Sequence, residues 1–319
     1  MSGAPLTTRP PADRWRDVDG IVLLDKPEGL TSNAALQRVR RAFRARKAGH
    51  TGSLDPLASG LLPICLGQAT KASGMLLDAN KTYRVRIALG ERTATGDRAG
   101  EIIETGPVPM LREESVRRLT AEFLGESTQV PPMYSALKHE GERLYRLARR
   151  GIEVERAPRR VTIHRLELLE IGPGWVELEI VCSKGTYVRS LAEDFARACG
   201  TVGHVMSLCR LALGPFANPQ MLSLEAIEQA AERPQDLDAM LLPADEALPG
   251  LPAVRLGLAE QACVLLGQPV FAAGPGAAVV RMYGVGGRFL GIGRMSAEGR
   301  RLAPERIMID LSGQQVPRA

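Results

Sequence analysis

The stretch Gly49-His50-Thr51-Gly52-Ser53-Leu54-Asp55-Pro56-Leu57-Ala58-Ser59-Gly60 constrains the fold more than any other part of this chain. It sets three glycines, one proline, one histidine and one carboxylate into twelve residues. Such a run is neither helix nor regular strand, and its backbone has to be held in one irregular shape. The apolar Leu61-Leu62-Pro63-Ile64-Cys65-Leu66-Gly67 follows directly and reads as a buried strand. Two readings of Asp55 stand side by side. The carboxylate accepts a hydrogen bond from the backbone after it and makes a turn, or a rigid loop presents it for chemistry. On spacing alone the two are evenly matched.

The flanking segments extend the picture. Gly20 to Pro27 reads as a short buried strand stopped by the proline. Thr31 or Ser32 caps a helix running to about Ala45, with Ala35, Val39, Ala42 and Phe43 on its apolar stripe. Arg38, Arg40, Arg41 and Arg44 lie outside that stripe. A short helix is expected over Ala69 to Leu77. Lys81 to Gly90 alternates, with Tyr83, Val85, Ile87 and Leu89 on the core side of a half-buried strand. Residues 91–109 read as loop and Glu113–Phe123 as helix. Pro131-Pro132 forbids a regular element over Gln129–Lys138. Residues 126–160 therefore read as a basic excursion containing a short helix over Arg143–Arg150. Strands over Arg160–Glu170 and Trp175–Ser183, a helix ending at Ala198, a strand over Val205–Leu213 and a helix over Leu224–Ala230 follow. From Ala253 onward short β-like runs broken by glycines predict a small β-rich barrel, separated by a proline-bearing boundary over Pro234–Pro252.

Composition narrows the function classes. The net charge is +5, and Arg38–Lys47 holds six basic residues without an acid. Arg156-Ala157-Pro158-Arg159-Arg160 is a second cluster; the charge points toward a polyanionic partner, but taken singly each cluster reads better as a solvated face. Aromatic residues make up 4% of the chain, which does not support a repeated base-stacking platform. The five scattered cysteines form no C-x-x-C pair, and the four histidines show no ligand spacing, so no metal is expected. No phosphate-binding loop, membrane span or signal peptide is legible, so a cytoplasmic protein is expected. A monomer is expected because no exposed apolar stripe is evident.

Five segments together carry a family resemblance: the Gly49–Gly60 loop, Leu24-Asp25-Lys26-Pro27, Lys81-Thr82-Tyr83, Gln129-Val130-Pro131-Pro132-Met133-Tyr134-Ser135-Ala136-Leu137-Lys138, and Ser183-Lys184-Gly185-Thr186-Tyr187-Val188-Arg189. In this order and spacing, over about residues 20–216, they resemble the motifs of the TruB family of tRNA pseudouridine-55 synthases. Ser53 and Ser59 stand where that family often has threonine, and both keep a hydroxyl. The resemblance implies an α+β fold: a pseudouridine-synthase core on a mixed, largely antiparallel sheet with flanking helices, plus a small C-terminal β-barrel-like PUA domain. Residues 1–18, polar and proline-bearing, read as a flexible tail; the resemblance implies a catalytic domain over 19–249 with the RNA-binding insertion at about 126–160, and a PUA-like domain over 250–319.

The implied partner is tRNA at its T-arm, and the implied reaction is isomerisation of a uridine without any cofactor. Asp55 is implied as the catalytic carboxylate. Arg189 is implied as its partner, lowering its pKa and holding it ionised. Tyr83 is implied to pack on the flipped uracil and to assist removal of the C5 proton. Tyr187 and Leu208 are implied to line the base pocket, although spacing alone makes Leu208 a core leucine. His50 is implied to meet the T-loop, and a buried loop histidine is the plainer reading. Lys26 and Pro27 are expected to support the loop. Two alternatives stay open: a guide-RNA-dependent rRNA synthase of archaeal and eukaryotic type, and a non-enzymatic tRNA-binding or folding protein. A hydrolase using Asp55 is disfavoured, because no second carboxylate has a comparable loop setting.

Overall fold

Residues 15–309 are described by the structure, a computed structural model. β1 (Gly20–Lys26) leads through α1 (Ser32–Ala42) to a short β2 (Ala48–His50) and to β3 (Ser59–Leu66). A 3-10 turn over Gly67–Lys71 and α2 (Ser73–Asp78) deliver the chain to β4 (Lys81–Leu89). A hairpin of β5 (Glu91–Thr93) and β6 (Ile102–Thr105) precedes α3 (Glu113–Glu122) and β7 (Gly125–Gln129). An excursion carrying β8 (Lys138–His139), β9 (Glu142–Arg143) and α4 (Leu144–Arg149) returns to β10 (Arg159–Gly172) and β11 (Trp175–Cys182). Then come α5 (Val188–Ala198), β12 (Gly203–Leu213), β13 (Leu222–Ser223), α6 (Leu224–Ala230) and α7 (Pro234–Asp238).

Nine strands form one sheet in the order β13-β1-β3-β12-β4-β11-β10-β7, with β2 added to β3. Most neighbours are antiparallel; β1–β13 and β3–β12 are parallel. β1 and β3 are continuous apolar runs because both faces of this sheet are covered. Val22, Leu24, Leu62 and Ile64 point into the core under α1, α5 and α6. Ile21, Leu23, Leu61 and Cys65 point the other way, onto Ala69, Ala72, Leu76 and residues from the C-terminal part. α1 forms where expected: Thr31 Oγ1 accepts from the Ala34 amide at 3.1 Å, and Ala35, Leu36 and Val39 are buried. α5 buries Val188, Leu191, Ala192, Phe195 and Ala196, the 3–4 spacing of a helix lying on a sheet.

The C-terminal part holds β14 (Ala253–Arg255), α8 (Leu258–Leu265), β15 (Val270–Phe271), β16 (Val279–Tyr283), β17 (Phe289–Met295) and β18 (Arg301–Ile307). Its five-stranded sheet, ordered β14-β16-β17-β18-β15, closes around its own core of Val254, Val264, Val280, Met282, Leu290 and Leu302. It is fastened to the larger unit by Tyr283, whose hydroxyl donates to Asp245 Oδ2 at 2.7 Å, and by Arg306, which donates to the Lys71 carbonyl at 2.7 Å.

Several expectations need correction. Residues 91–109 contain the β5–β6 hairpin, whose register is supported by the Arg92–Glu104 pair. Strands of three or four residues leave too little periodicity to read. The helix expected over Ala69–Leu77 is split, because the hydroxyls of Thr70 and Ser73 bond back to the carbonyls of Gly67 and Thr70. The excursion starts later than residue 126, since β7 pairs with β10 at the edge of the main sheet. Of the expected tail, residues 1–14 lie outside the described residues; Arg16 bonds to Arg44 and Arg46, and Val18 is buried. The C-terminal unit contains the helix α8, hidden in the sequence by surrounding glycines, and exposes Leu258, Leu266 and Phe271.

Gly60 is the tightest backbone constraint near the loop. Its φ is +92°, and a Cβ there would lie 2.4 Å from the Arg210 carbonyl oxygen. Gly29 has a φ of +87° with nothing within 4 Å of such a Cβ. Gly60→Ala is therefore expected to cost about 3 kcal/mol or more, and Gly29→Ala about 1–2 kcal/mol, in urea unfolding of the two variants.

Candidate active site

The irregular loop sits where β3 changes its edge partner. β2 pairs with β3 at Ile64–Leu66, whereas β12 takes the same edge only at Ser59 and Gly60. The loop over 51–58 occupies the gap between those two pairings. It is held from three sides. The Ser32 hydroxyl donates to the Leu54 carbonyl at 3.0 Å and accepts from the Leu54 amide at 2.7 Å. The Gly29 amide donates to the Pro56 carbonyl at 2.7 Å. The Ala58 amide closes a turn onto the Asp55 carbonyl at 3.0 Å. The backbone of Asp55 thus makes the turn, and its side chain remains available for another partner.

That partner is Arg189, in the first turn of α5. Its Nε lies 2.8 Å from Asp55 Oδ2, and its Nη2 donates to Oδ1 at 3.2 Å, a two-point pairing. Arg189 is 5% exposed and Asp55 36%, so the arginine is the wall and the carboxylate faces the opening. The remaining donors of Arg189 reach the Thr95 carbonyl and the Tyr134 carbonyl, each at 2.8 Å. One guanidinium therefore joins the Asp loop, the β5–β6 hairpin and the excursion.

The electrostatics differ from the expectation drawn for Asp55. Burial raises its pKa above the ordinary carboxylate value; Arg189 pulls it back, Asp97 pushes it further up, and Lys26 pulls it down. Desolvation outweighs the guanidinium, so the carboxyl is raised rather than lowered. Burial likewise raises the phenols of Tyr83 and Tyr187. Tyr83 in the free site is a neutral phenol, a poor setting for a base.

Tyr83, Arg189 and Tyr187 gather around Asp55, and each of the two phenols feels its charge. Tyr83 lies on β4 directly opposite Arg210 of β12, and Leu208 lies opposite Val85 on the same strand pair. Both Tyr83 and Leu208 are buried. Tyr187 caps α5, and the Gln129 side chain brackets its backbone: the Tyr187 amide donates to Gln129 Oε1 at 3.0 Å. His50 ends β2, paired with Ile64 of β3. Burial, followed by the charge of Arg210, lowers its pKa, and its Nδ1 is buried without a partner.

Two side chains near the site were given no role in the sequence: Gln129, although it opens one of the segments that carry the resemblance, and Arg210. Gln129 lies two residues before the prolines, at the end of β7. Arg210, 1% exposed, donates from Nε to the Leu61 carbonyl at 2.7 Å and from Nη2 to the Gly52 carbonyl at 3.2 Å. A single arginine within an apolar strand was its only trace. Beside this centre, Arg189, Thr95 and Tyr134 also border a cleft of about 690 Å³ between the hairpin, the excursion and α5. Among the basic residues of α1, Arg38 is paired with Glu228 and Arg40 bonds to the carbonyls of Ala45 and Arg46. Arg41 and Arg44 are exposed.

Comparison with known proteins agrees with this arrangement. Residues 40–188 match the model of the TruB family pseudouridylate synthase N-terminal domain, which spans Asp55, Tyr83 and Tyr187. Residues 189–249 match the tRNA pseudouridylate synthase B C-terminal domain, and residues 252–308 match the pseudouridine synthase II TruB C-terminal model. A protein of Nitrosococcus oceani named tRNA pseudouridine synthase B is 50% identical over 93% of this chain and 97% of its own length. One of the same name from Sodalis glossinidius is 50% identical over 94% of this chain and 98% of its own. Among solved structures, one titled as a Cbf5-Nop10-Gar1 complex superposes with a TM-score of 0.69 at 25% identity, covering 91% of this chain and 85% of that chain. With Asp55 held by a buried arginine on a loop beside the large sheet, and with near-full-length relatives at half identity, this chain belongs to the TruB family of pseudouridine synthases.

Proposed function

We propose that the protein converts a uridine of the tRNA T-loop, the one at position 55, to pseudouridine, with Asp55 as the reacting carboxylate. The two-point Asp55–Arg189 pair carries this reading. It presents one carboxylate, aimed from a rigid loop, at an opening flanked by two tyrosines. The names of the curated relatives, tRNA pseudouridine synthase B, support the choice of tRNA. Their high identity favours a stand-alone enzyme over a guide-dependent one. A cytoplasmic monomer is the simplest state for this activity.

The chemistry follows from the site. The N1–C1′ bond of uridine breaks, the base turns, and C5 bonds to C1′; the C5 proton is exchanged for one on N1, so the reaction is an isomerisation. Asp55 either attacks the electron-deficient sugar or removes a proton from it. Arg189 fixes the direction of the carboxylate. Tyr83 packs against the uracil, and Tyr187 and Leu208 complete the pocket, with His50 meeting the RNA at the loop. The base has to leave its stack, at a cost of about a few kcal/mol. Phosphate contacts offset that cost. Arg146 and Arg149 on α4 are exposed and suited to this, with Arg41 and Arg44 beside the loop. The C-terminal unit serves as a PUA-like RNA-binding module.

Incubation of an unmodified tRNA transcript with the protein alone is expected to yield T-loop pseudouridine. Asp55→Asn is expected to reduce the single-turnover rate by at least about 10⁴-fold, as loss of a group acting in the covalent step does. Conversion only with an added guide RNA, or at wild-type rate by Asp55→Asn, overturns the reading. In a kcat/KM profile the acid limb is expected above the ordinary carboxylate range, because burial raises Asp55. Lys26→Met is expected to shift that limb to still higher pH, since removing a neighbouring cation disfavours the ionised carboxylate. For RNA binding, the double variant Arg146→Ala/Arg149→Ala is expected to lower the slope of log K against log salt by about 1–2, measured by filter binding.

A further inference from the structure

Three buried cations lie in the strands around the loop, Lys26 on β1, Lys81 at the start of β4 and Arg210 on β12, and the hydrogen bonds of each go to backbone carbonyls. Arg210 donates to the Leu61 and Gly52 carbonyls. Lys26, fully buried, donates to the carbonyls of Pro27 and Leu30 at 2.8 and 2.7 Å. Lys81, 8% exposed, donates to the carbonyls of Leu77 and Ala79. Burial lowers the pKa of both lysines to about 8. A buried charge without a counter-ion is costly, and neutral carbonyls return only part of what water supplied. Arg210 cannot relieve the cost by releasing a proton, because a guanidinium stays charged. Lys26 has the Asp55 carboxylate nearby, whereas Arg210 is bonded to carbonyls alone and is balanced only when negative charge appears beside it.

Where that charge arises follows from the reaction. When the N1–C1′ bond breaks, its electron pair stays on N1. The uracil ring becomes an anion with charge shared among N1, O2 and O4, until C5 attacks C1′ and the C5 proton is lost. Arg210 lies across the strand pair from Tyr83, on which the base is proposed to pack. A backbone phosphate is a poorer candidate, because Arg210 is 1% exposed beneath the loop. The neighbours already respond to this guanidinium: it lowers His50 and draws the Tyr83 phenol down against its burial.

We propose that Arg210, held under Tyr83 by the Leu61 and Gly52 carbonyls, supplies the fixed positive charge that stabilises the departing uracil anion. This rests on the pseudouridine synthase reading given above. A fixed charge of this kind acts without reorganisation at the moment of bond cleavage. Arg210 also holds Gly52, three residues ahead of Asp55 in the loop, so a structural role has to be told apart from an electrostatic one.

Leaving-group dependence separates the two. Full-length wild type, Arg210→Met and Arg210→Lys are compared under single turnover on two tRNA transcripts, with uridine or 5-fluorouridine at the target position. The loss of the N1-linked nucleoside is followed, and tRNA affinity is measured separately. Fluorine at C5 stabilises the ring anion, so that substrate needs less help from the protein. Arg210→Met is expected to be slower on uridine by about 100-fold at unchanged affinity, in the range seen for removal of one anion-stabilising donor. Its deficit on 5-fluorouridine is expected to shrink to about a tenth of that value, while Arg210→Lys keeps most of the wild-type rate on both. An equal deficit on both substrates overturns the proposal and leaves Arg210 a scaffold residue. If Arg210→Met does not fold, Arg210→Gln, which keeps a donor for the Leu61 carbonyl, is judged by the same ratio. A wild-type protein that converts neither transcript overturns the function reading and this inference with it.

Discussion

The guanidinium of Arg189 is the interaction on which the site depends. Two of its nitrogens take the Asp55 carboxylate, and the same group bonds the Thr95 and Tyr134 carbonyls. These acceptors come from segments far apart in the chain. A lysine has the charge but lacks a planar fork able to satisfy such acceptors together. The hairpin after β4, the loop before β3 and the proline-rich start of the excursion therefore share one anchor. Displacing any of them leaves the buried guanidinium short of an acceptor, which is what makes the arrangement rigid.

Burial gives the site its chemical character. Asp55 is raised despite its arginine, and Tyr83 and Tyr187 are raised with it. Arg189, Arg210, Lys26 and Lys81 are all buried, and the buried carboxylate close to Asp55 is Asp97, itself bonded to the Thr95 hydroxyl and the Ala99 amide. The interior thus carries more positive than negative charge. That imbalance costs stability in the free protein, as strained or poorly solvated functional sites do. It favours states in which the substrate becomes negative.

Legibility varied with the kind of signal. β1, β3 and β4 were readable because burial writes itself as apolar runs or as alternation. α1 was readable because Thr31 caps it with its own hydroxyl. The β5–β6 hairpin and α8 were not, being short or surrounded by glycine. Asp55 stood out only as one carboxylate in a rigid loop, and its role entered through resemblance. Arg38 illustrates the reverse: in the sequence it belongs to a basic cluster with no acid nearby, and a glutamate 190 residues later in the chain holds it.

By itself the sequence determined where the backbone must be irregular, which strands are buried on both faces, and that a lone aspartate sits in a loop of fixed shape. These are local matters, set by φ restrictions and by the periodicity of burial. Tertiary structure alone decided the partners: that β12 replaces β2 beside β3, that Arg189 reaches Asp55, and that Arg210 lies buried opposite Tyr83. Electrostatics act through space, so a raised carboxyl or an unmatched cation has no sequence signature until folding brings distant groups within a few ångströms. The Gly49–Gly60 loop announces that something is held in place; the fold determines what it faces.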